Sequence, residues 1–438
     1  MKNEFDDSKN ENINSIKTQS SSSSIYNENN KTSNINENNN LIENKSHITG
    51  QTFNISHCND KEVSDSFPPD ESYSLKLKLF NFKKDAINIM KELTNGFIII
   101  SGNNNLVIYN YEYHKLESFD FEEPIYNIFE VNTNIYNGNK KNSLSFIINF
   151  KNNKFYEYEF LIKNDNELKP IPRNGKKYLY PYSLFYLERN EQNNFRNIFC
   201  GSEGIIYYPN FFSKITENKL DKPKFKDPIY GGIQIDNDYA VLISKNQENK
   251  NNSNFKLILL NIKEDKIQPL EIEDYSLNLS PNCLSFLKIN NEKNKILVLC
   301  ACKTKKNEIN GFLYFIFGEN KPIFHGTDIK VNCFCQLSKF HEVSNSISNE
   351  NKNYKIEGTN YFLVGGGNEK DKSTKKGIIK LLEYDESSNK IKNGNEIKND
   401  FNESISCIIQ TRRNGNILIS CKDENFYVCD RKCIKDIQ

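Results

Sequence analysis

Short apolar runs recur along this chain as hairpin-like pairs whose starts lie 42 to 65 residues apart. The clearest pair opens at Asn95-Gly96, turns at 102–105 and ends at Tyr109-Asn110. The last pair, from Asn414-Gly415 to Cys429-Asp430, is nearly a copy of it. Asn-Gly before an apolar run is a strong turn signal. This repeat predicts a chain that is built from similar small β-sheets.

Seven such hairpins can be counted, each with an apolar strand before it. The hairpins span roughly 97–110, 144–160, 197–208, 239–262, 295–317, 360–385 and 415–430. The preceding strands lie near 86–93, 125–131, 182–187, 229–235, 283–288, 330–336 and 404–410. Repetition at this length, without any long stretch of helical period, favours a β-propeller over a sandwich or a barrel. The predicted fold is all-β, a seven-bladed propeller of four-stranded antiparallel sheets.

A further strand precedes the first repeat. Residues Leu75–Phe82 alternate apolar and polar side chains, which is the period of a half-buried strand. The last repeat has few residues left for its outer strand. We expect Leu75–Phe82 to complete that sheet, close the ring and remove an open sheet edge. The alternative is that Arg431–Ile437 supplies the outer strand.

Polar, low-complexity stretches surround the repeats. Residues 1–72 are rich in Asn, Ser, Lys and Glu, with a serine run at Ser20–Ser24 and no apolar period, so we predict a disordered tail. The propeller is then expected over residues 73–434. The polar stretches near 246–254, 342–353 and 386–399 are predicted to be disordered loops.

Charge and cysteine usage limit the partners and the compartment. The 58 basic and 57 acidic residues give a net charge of +1, so there is no general electrostatic reason to bind nucleic acid or an anionic membrane. No apolar stretch approaches the roughly 20 residues of a membrane helix, and no secretory signal follows Met1. Most of the 11 cysteines lie in apolar runs. Reduced thiols in the cytoplasm, or alternatively the nucleus, are therefore expected.

The repeats resemble those of the WD40-type β-propeller superfamily. Several third strands end in an aromatic or apolar residue and a short polar one, as in Tyr109-Asn110, Tyr384-Asp385 and Cys429-Asp430, where the family has Trp-Asp. The chain has no tryptophan, so the family's Trp/Ser/His/Asp network is absent and apolar packing must hold the sheets. Members are mostly scaffolds, so the resemblance implies a non-catalytic scaffold that binds peptides or other subunits on its faces, as part of a complex.

One glycine-rich segment has the residue types of a phosphate loop. Residues 365–374 contain three glycines, two lysines and hydroxyls, but the spacing does not fit the phosphate-loop motif and a strand-like run follows. A hairpin turn is the preferred interpretation. The segment also resembles the glycine-and-lysine loop of Sec12-like guanine nucleotide exchange factors, which are propellers. An exchange factor is therefore an alternative function.

Arg412-Arg413 is the second candidate anion site. The pair resembles the paired arginines of phosphoinositide-binding propellers, although its context, Thr411 to Gly415, is typical of a turn within one blade. A solvated turn is the preferred interpretation, and a phosphoinositide-binding propeller is the other alternative function.

No motif in the sequence identifies a metal site or a catalytic site. Cys300 and Cys302, Cys333 and Cys335, and the later group Cys421, Cys429 and Cys433 could hold a metal, but core packing is preferred because cysteine is a small buried hydrophobe. The histidines at 47, 57, 114, 325 and 341 show no ligand spacing. We therefore assign no catalytic, cofactor or metal residue. A cluster of ionisable groups with shifted pKa values in one mouth of the ring would instead favour an enzyme.

Overall fold

The regular elements of the structure are β-strands. The computed structural model describes residues 77–82, 86–131, 143–151, 154–164, 167–170, 178–179, 185–191, 194–201, 204–208, 227–236, 238–245, 255–262, 264, 266–270, 277–289, 295–305, 308–319, 321–342, 354–368 and 376–431. The predicted tail, the predicted loop at 246–254 and all but Glu342 of the loop at 342–353 lie outside these residues.

The strands within these ranges form seven antiparallel sheets, which we number by chain order of their innermost strands. Sheet 1 contains β2 (Ile89–Glu92), β3 (Ile98–Ser101), β4 (Asn105–Tyr109) and β5 (Lys115–Asp120). Sheet 2 contains β6 (Ile125–Val131), β7 (Ser143–Phe150) and β8 (Lys154–Asn164), with β9 (Glu167–Pro170) and β10 (Tyr178–Leu179) both paired to β8. Sheet 3 contains β11 (Phe185–Glu191), β12 (Asn194–Gly201) and β13 (Gly204–Tyr208).

The remaining sheets have four strands each. Sheet 4 contains β14 (Ile229–Gln234), β15 (Tyr239–Lys245), β16 (Phe255–Asn261) and β17 (Lys266–Pro269). Sheet 5 contains β18 (Leu277–Ile289), β19 (Lys295–Thr304), β20 (Asn310–Ile316) and β21 (Ile323–Gly326). Sheet 6 contains β22 (Lys330–Glu342), β23 (Tyr354–Gly367), β24 (Gly377–Asp385) and β25 (Lys390–Phe401). Sheet 7 contains β26 (Ile405–Gln410), β27 (Ile417–Cys421), β28 (Asn425–Cys429) and β1 (Leu77–Asn81).

The predicted hairpins are confirmed. All seven occur as antiparallel pairs, and each predicted preceding strand is the innermost strand of its sheet. Five sheets have the expected four strands, whereas sheets 2 and 3 have five and three strands in the described residues. This succession of small antiparallel sheets is a β-propeller, and the resemblance to WD40-type propellers is confirmed at the level of the fold.

The early strand completes the last sheet, as predicted. β1 pairs with β28, with Leu77 opposite Cys429 and Asn81 opposite Asn425. The ring of Phe80 stacks on Phe426 with centroids 5.0 Å apart. The alternative, in which Arg431–Ile437 supplies this strand, is therefore wrong.

The core lies between neighbouring sheets. In sheet 1, Ile98 and Ile100 pack with Leu418 of sheet 7, whereas Ile99 packs with Phe146 of sheet 2. Successive side chains of a strand point to opposite faces. Fully buried strands such as β3 thus pack against a neighbouring sheet on both faces, which explains their continuous apolar runs.

One expected loop is a strand. Most of the polar stretch near 386–399 belongs to β25, which pairs with β24 from Asp385 opposite Lys390 to Gly377 opposite Phe401. Ile391 and Ile397 are buried, and the exposed positions between them are polar. An outer strand faces solvent along much of its length, so its composition is that of a loop, and the prediction of disorder at 390–399 is wrong.

None of the described residues forms a helix of the length and apolarity that a membrane span requires.

Candidate functional site: the inner-strand clamps and the closing seam

One position near the end of the innermost strand repeats around the ring. The register of β6, β22 and β26 shifts at a bulge near its start, at Tyr126, Asn332 and Ser406. Four residues later these strands carry Glu130, Gln336 and Gln410. Each of these side chains bonds the backbone of the preceding sheet, and Glu92 of β2 does the same. We call these four the clamp residues.

The glutamine clamps use both ends of the amide. Gln410 Oε1 accepts a hydrogen bond from Ser338 N at 2.7 Å, while its Nε2 donates to Ser338 O at 3.3 Å. Gln336 makes the same pair of bonds to Lys288, at 3.1 and 2.7 Å. An amide carries a donor and an acceptor, so it matches the N–H and C=O of one backbone residue without further help.

The glutamate clamps need additional donors. Both carboxylate oxygens of Glu130 accept from Thr94 N, at 3.0 and 2.9 Å, and the Thr94 hydroxyl also donates to Glu130. Glu92 accepts from Arg412 N at 2.6 Å and from Arg412 Nε at 3.3 Å. An ionised carboxylate only accepts hydrogen bonds. A side-chain donor therefore accompanies each glutamate, a hydroxyl on sheet 1 and a guanidinium on sheet 7.

The Glu92 clamp closes the ring, because it joins the first sheet to the last one in the way that the other clamps join consecutive sheets. We call this junction between sheets 7 and 1 the closing seam, and two further contacts beside the Glu92 clamp reinforce it. The Arg413 guanidinium carbon lies 3.5 Å from the centroid of the Tyr111 ring. Asn416 Nδ2 donates to the Tyr113 hydroxyl at 2.8 Å.

Burial shifts the pKa values of the ionisable groups here. The Glu92 side chain is 7% exposed, and burial raises its pKa against the opposing hydrogen bonds from Arg412. Burial also raises the pKa of Glu130, against the bonds from Thr94. Burial lowers the pKa of Lys91 to about 8. Lys91 Nζ donates to Ile128 O at 2.6 Å, so it too bridges two sheets.

A cluster of shifted ionisable groups therefore exists, which is the pattern that would favour an enzyme. Its hydrogen bonds run between neighbouring sheets, from Glu92 to sheet 7 and from Lys91 and Glu130 across sheets 1 and 2. Structural ion-pair networks also perturb pKa values. The geometry accounts for this cluster as part of the ring's closure.

The two candidate arginines lie in this seam. Arg412 and Arg413 belong to the turn between β26 and β27, as expected, but both are half-buried rather than solvated. Arg412 bonds Glu92, and Arg413 stacks on Tyr111 while its side chain covers Gly96. Gly96 has a φ of 85°, a left-handed conformation that favours glycine. The arginines thus contact sheet 1 of their own chain.

The glycine-rich segment lies in the sheet. Gly365, Gly366 and Gly367 are the last residues of β23 and pair with β24, so these glycines belong to a strand of the hairpin and not to its turn. A Cβ atom on Gly365 would lie 2.7 Å from Cys333 Sγ and 2.8 Å from Ile405 of the next sheet. Close packing between sheets 6 and 7 therefore explains this glycine. Residues 369–375 lie outside the described residues.

A cavity of about 390 Å³ lies beside this hairpin. It is lined by Asn368, Lys376, Gly377, Ile378, Glu396, Asn399 and Asp400. Two carboxylates against one lysine suit a phosphate group poorly, because like charges repel.

The cysteines pack as the strand period predicts. Cys300 and Cys302 share one apolar cluster, and Cys333 and Cys335 share another. The eight cysteines whose side chains the structure describes are free thiols, and burial raises the pKa of Cys335 to about 12. Among the described residues no three His, Cys, Asp or Glu side chains are close enough to hold a metal. Cys433 lies outside them.

The described histidines are on different sheets. His325 Nε2 lies 3.0 Å from Asn393 Oδ1, and His341 Nε2 lies 3.2 Å from Glu357 Oε2. His114 Nδ1 lies 3.6 Å from Glu112. His47 and His57 lie outside the described residues.

The clamp residues were missed in the sequence, although a signal exists. A single Glu or Gln follows the apolar inner strand and precedes Leu or Thr, as in Glu92-Leu93, Gln336-Leu337 and Gln410-Thr411. Gln234-Ile235 of β14 has the same spacing from the bulge at Tyr230. The signal is one polar residue in each of these repeats. It becomes visible only when the repeats are aligned by their bulges.

Comparison with known proteins assigns no family to this chain. No family model and no curated protein matches this sequence. Among solved structures 560 chains match. One of them belongs to the "Crystal Structure of Mitotic Checkpoint Complex", with a TM-score of 0.47 and 8% identity over 85% of this chain and 99% of that chain. The β-propeller fold rests on this chain's own sheet order and closing strand.

Proposed function

We propose that the protein is a non-catalytic scaffold, a seven-bladed ring that binds other proteins on its faces as a subunit of a complex. Support for seven blades comes from the seven successive sheets, with sheets 2 and 3 taken as variant blades. Support also comes from the closing seam, where sheet 1 follows sheet 7 with a clamp residue like those between sheets 1 and 2, 5 and 6, and 6 and 7.

Two arginine–aromatic contacts carry the proposal. Arg413 stacks on Tyr111, and the Arg431 guanidinium carbon lies 6.0 Å from the centroid of Phe340. We call these four residues the arginine face. They come from sheets 7, 1 and 6, at the end of the sheets that carries the turns at Gly96 and Gly415. Arginine and tyrosine are enriched among residues that dominate protein interfaces.

The stacking matters because it holds the side chains in place before a partner arrives. Immobilising a flexible side chain on binding costs about 0.5–1.5 kcal/mol. Half-buried arginines already stacked on rings avoid part of that loss. The same residues offer planar donors for a partner's carboxylates or backbone carbonyls.

The other parts of the proposal rest on charge and burial. The shifted ionisable groups serve the clamps, which supports a role without catalysis. The near-neutral net charge of +1 supports protein rather than nucleic-acid partners. The free, buried thiols support a cytoplasmic or nuclear location.

The test compares two faces of the ring by affinity purification and mass spectrometry, followed by size-exclusion chromatography. The variant Tyr111→Ala with Arg431→Ala alters the arginine face. The control, Lys422→Ala with Glu424→Ala, alters exposed residues of the turn between β27 and β28 at the opposite end. We expect a complex of fixed stoichiometry with the native chain and the control, and its loss with the arginine-face variant. Recovery of a clean monomer from the native chain would contradict the scaffold.

A further inference from the structure

We propose that residues 60–71, which we call the acidic segment, dock on the arginine face of their own chain and cover it. The docking involves residues of this chain alone. That the segment thereby excludes a partner from the same surface rests on the proposed function.

The register of β1 shows where the preceding chain leads. Leu77, the first residue of β1, lies opposite Cys429, the last residue of β28. Arg431 follows Cys429 by two residues, and its backbone N–H donates to Asn416 Oδ1 at 3.1 Å, beside the turn that carries Arg413. The chain before β1 is therefore attached at the end of sheet 7 that carries the arginine face.

The length of the connection keeps the acidic segment close to that face. Residues 72–76 join the segment to Leu77, and a connection of this length spans at most about 20 Å when fully extended. A short tether of this kind gives an effective concentration on the order of 1 mM. Contacts that are weak between separate molecules are therefore sufficient to hold the segment on the face.

Negative charge is concentrated in the part of the tail nearest to β1. Residues 60–71 contain five acidic residues and one lysine, whereas the 59 residues before them contain seven acidic and five basic residues. The acidic residues of the segment are Asp60, Glu62, Asp65, Asp70 and Glu71. The segment thus has the charge that is opposite to that of an arginine-bearing surface.

The turn between β26 and β27 supplies the positive charge. It contains Arg412 and Arg413 and no acidic residue. Arg431 lies beside it, since a Cβ atom on Gly415 of this turn would be 2.9 Å from Arg431 Cδ. Glu92 bonds Arg412, so the other two arginines, both of the arginine face, are the candidates to meet the segment.

The stacking of these arginines suits them to carboxylates. A guanidinium group that packs on a ring through one flat side directs its N–H donors outward in its own plane, where a carboxylate accepts two of them. The segment also contains Phe67, followed by Pro68 and Pro69. Aromatic side chains are enriched in interfaces, and the two prolines restrict the backbone, which reduces the entropy lost on docking.

The test measures by fluorescence anisotropy how tightly a labelled peptide of residues 59–74 binds the full chain, where the docked segment of the native chain competes with it. The variant Asp65→Asn with Asp70→Asn and Glu71→Gln weakens this competitor. We expect it to bind the peptide roughly 10-fold more tightly than the native chain does. Binding should weaken as the salt concentration rises from about 50 to 300 mM.

The matched control is Glu28→Gln with Glu37→Gln and Glu43→Gln, which removes the same number of charges from the tail farther from β1. We expect it to bind the peptide like the native chain. Adding Arg413→Gln and Arg431→Gln to the first variant should abolish binding. The first variant and the control alter only tail residues, so their comparison stands even if the arginine variant does not fold.

Equal affinity of the native chain and the first variant for the peptide would overturn the proposal, as would an absence of binding to the first variant. Peptide binding that survives the arginine substitutions in a folded chain would overturn it as well. These measurements involve no partner. They are therefore distinguishable from a failure of the proposed function, which would appear as a native chain recovered without a complex.

Discussion

The junction between sheets 6 and 7 and the closing seam between sheets 7 and 1 are both held by a clamp residue. The first uses glutamine and the second uses glutamate. At the first, Gln410 bonds Ser338 through both ends of its amide, and the Gly365 backbone lies against Ile405. At the seam, Glu92 accepts hydrogen bonds from the backbone N–H groups of Arg412 and Arg413 and from the Arg412 guanidinium. The comparison shows that an amide clamp bonds both the N–H and the C=O of one residue, whereas a carboxylate clamp bonds donors only.

A second difference lies inside the sheets. In sheet 6 a short turn joins β24 to the outer strand β25, whereas in sheet 7 nothing but strand pairing and side-chain contacts joins β28 to β1. The segment after β1 leads directly into sheet 1. The connection between sheets 7 and 1 is therefore covalent like the others, and the place where the ring depends on non-covalent contacts alone is the β1–β28 pair.

The largest expected effect comes from weakening that pair. Phe80 stacks on Phe426 and lies 5.6 Å from the Tyr113 ring, so Phe80→Ala removes contacts on both sides of the seam. We expect a loss of about 3 kcal/mol in the free energy of unfolding. Leu79→Ala on the same strand is the control, because Leu79 is 58% exposed, and should change it by less than about 0.5 kcal/mol. Urea denaturation measures both, and equal effects would show that β1 does not close the ring through Phe80.

The next effect separates the two kinds of clamp. Glu92→Ala leaves the Arg412 guanidinium and the backbone N–H groups of Arg412 and Arg413 without their buried acceptor, and we expect a loss of about 2 kcal/mol. Gln410→Ala removes three neutral hydrogen bonds, two to Ser338 and one to Gly415, none of which involves a charged group, and should cost about 1 kcal/mol. Thermal and urea unfolding of the two variants provide the comparison. A Gln410→Ala variant that is the less stable of the two would reverse our ranking of the junctions.

The smallest effect is expected from transplanting the glutamine clamp. Arg412→Ser alone leaves the buried Glu92 carboxylate with its backbone donors but without the opposing cation, and should cost about 2 kcal/mol. Adding Glu92→Gln reproduces the Gln410–Ser338 arrangement at the seam, and we expect the double variant to lie within about 1 kcal/mol of the native chain. A double-mutant cycle measures the coupling. Additive losses would show that the seam requires its ion pair.

The sequence predicted the ring because apolar periodicity reports burial. Middle strands bury both faces, so the runs at Ile98–Ser101 and Ile417–Cys421 stand out and their hairpins were located correctly. The outer strand β25 was missed because most of its residues face solvent. Backbone hydrogen bonds between strands do not require particular residue types, so the pairing of β25 could not be recognised in the sequence.

The clamps could not be predicted for a different reason. A clamp depends on which residue of the preceding sheet lies beside it, as Ser338 lies beside Gln410, and that pairing joins positions 72 residues apart. One polar residue at the end of an apolar strand has many ordinary explanations. The Arg412-Arg413 pair was located in the correct turn, but its contact with Glu92 is made only when the ring closes.

The pairing of β1 with β28 also governs the order of events during synthesis. β1 leaves the ribosome before any of the sheets, and its partner is made last among the described strands. At about 5–20 residues per second, the wait is on the order of tens of seconds. Throughout that time a strand with alternating leucines remains available to wrong neighbours, so a nascent chain of this kind is expected to depend on chaperones until translation reaches Cys429.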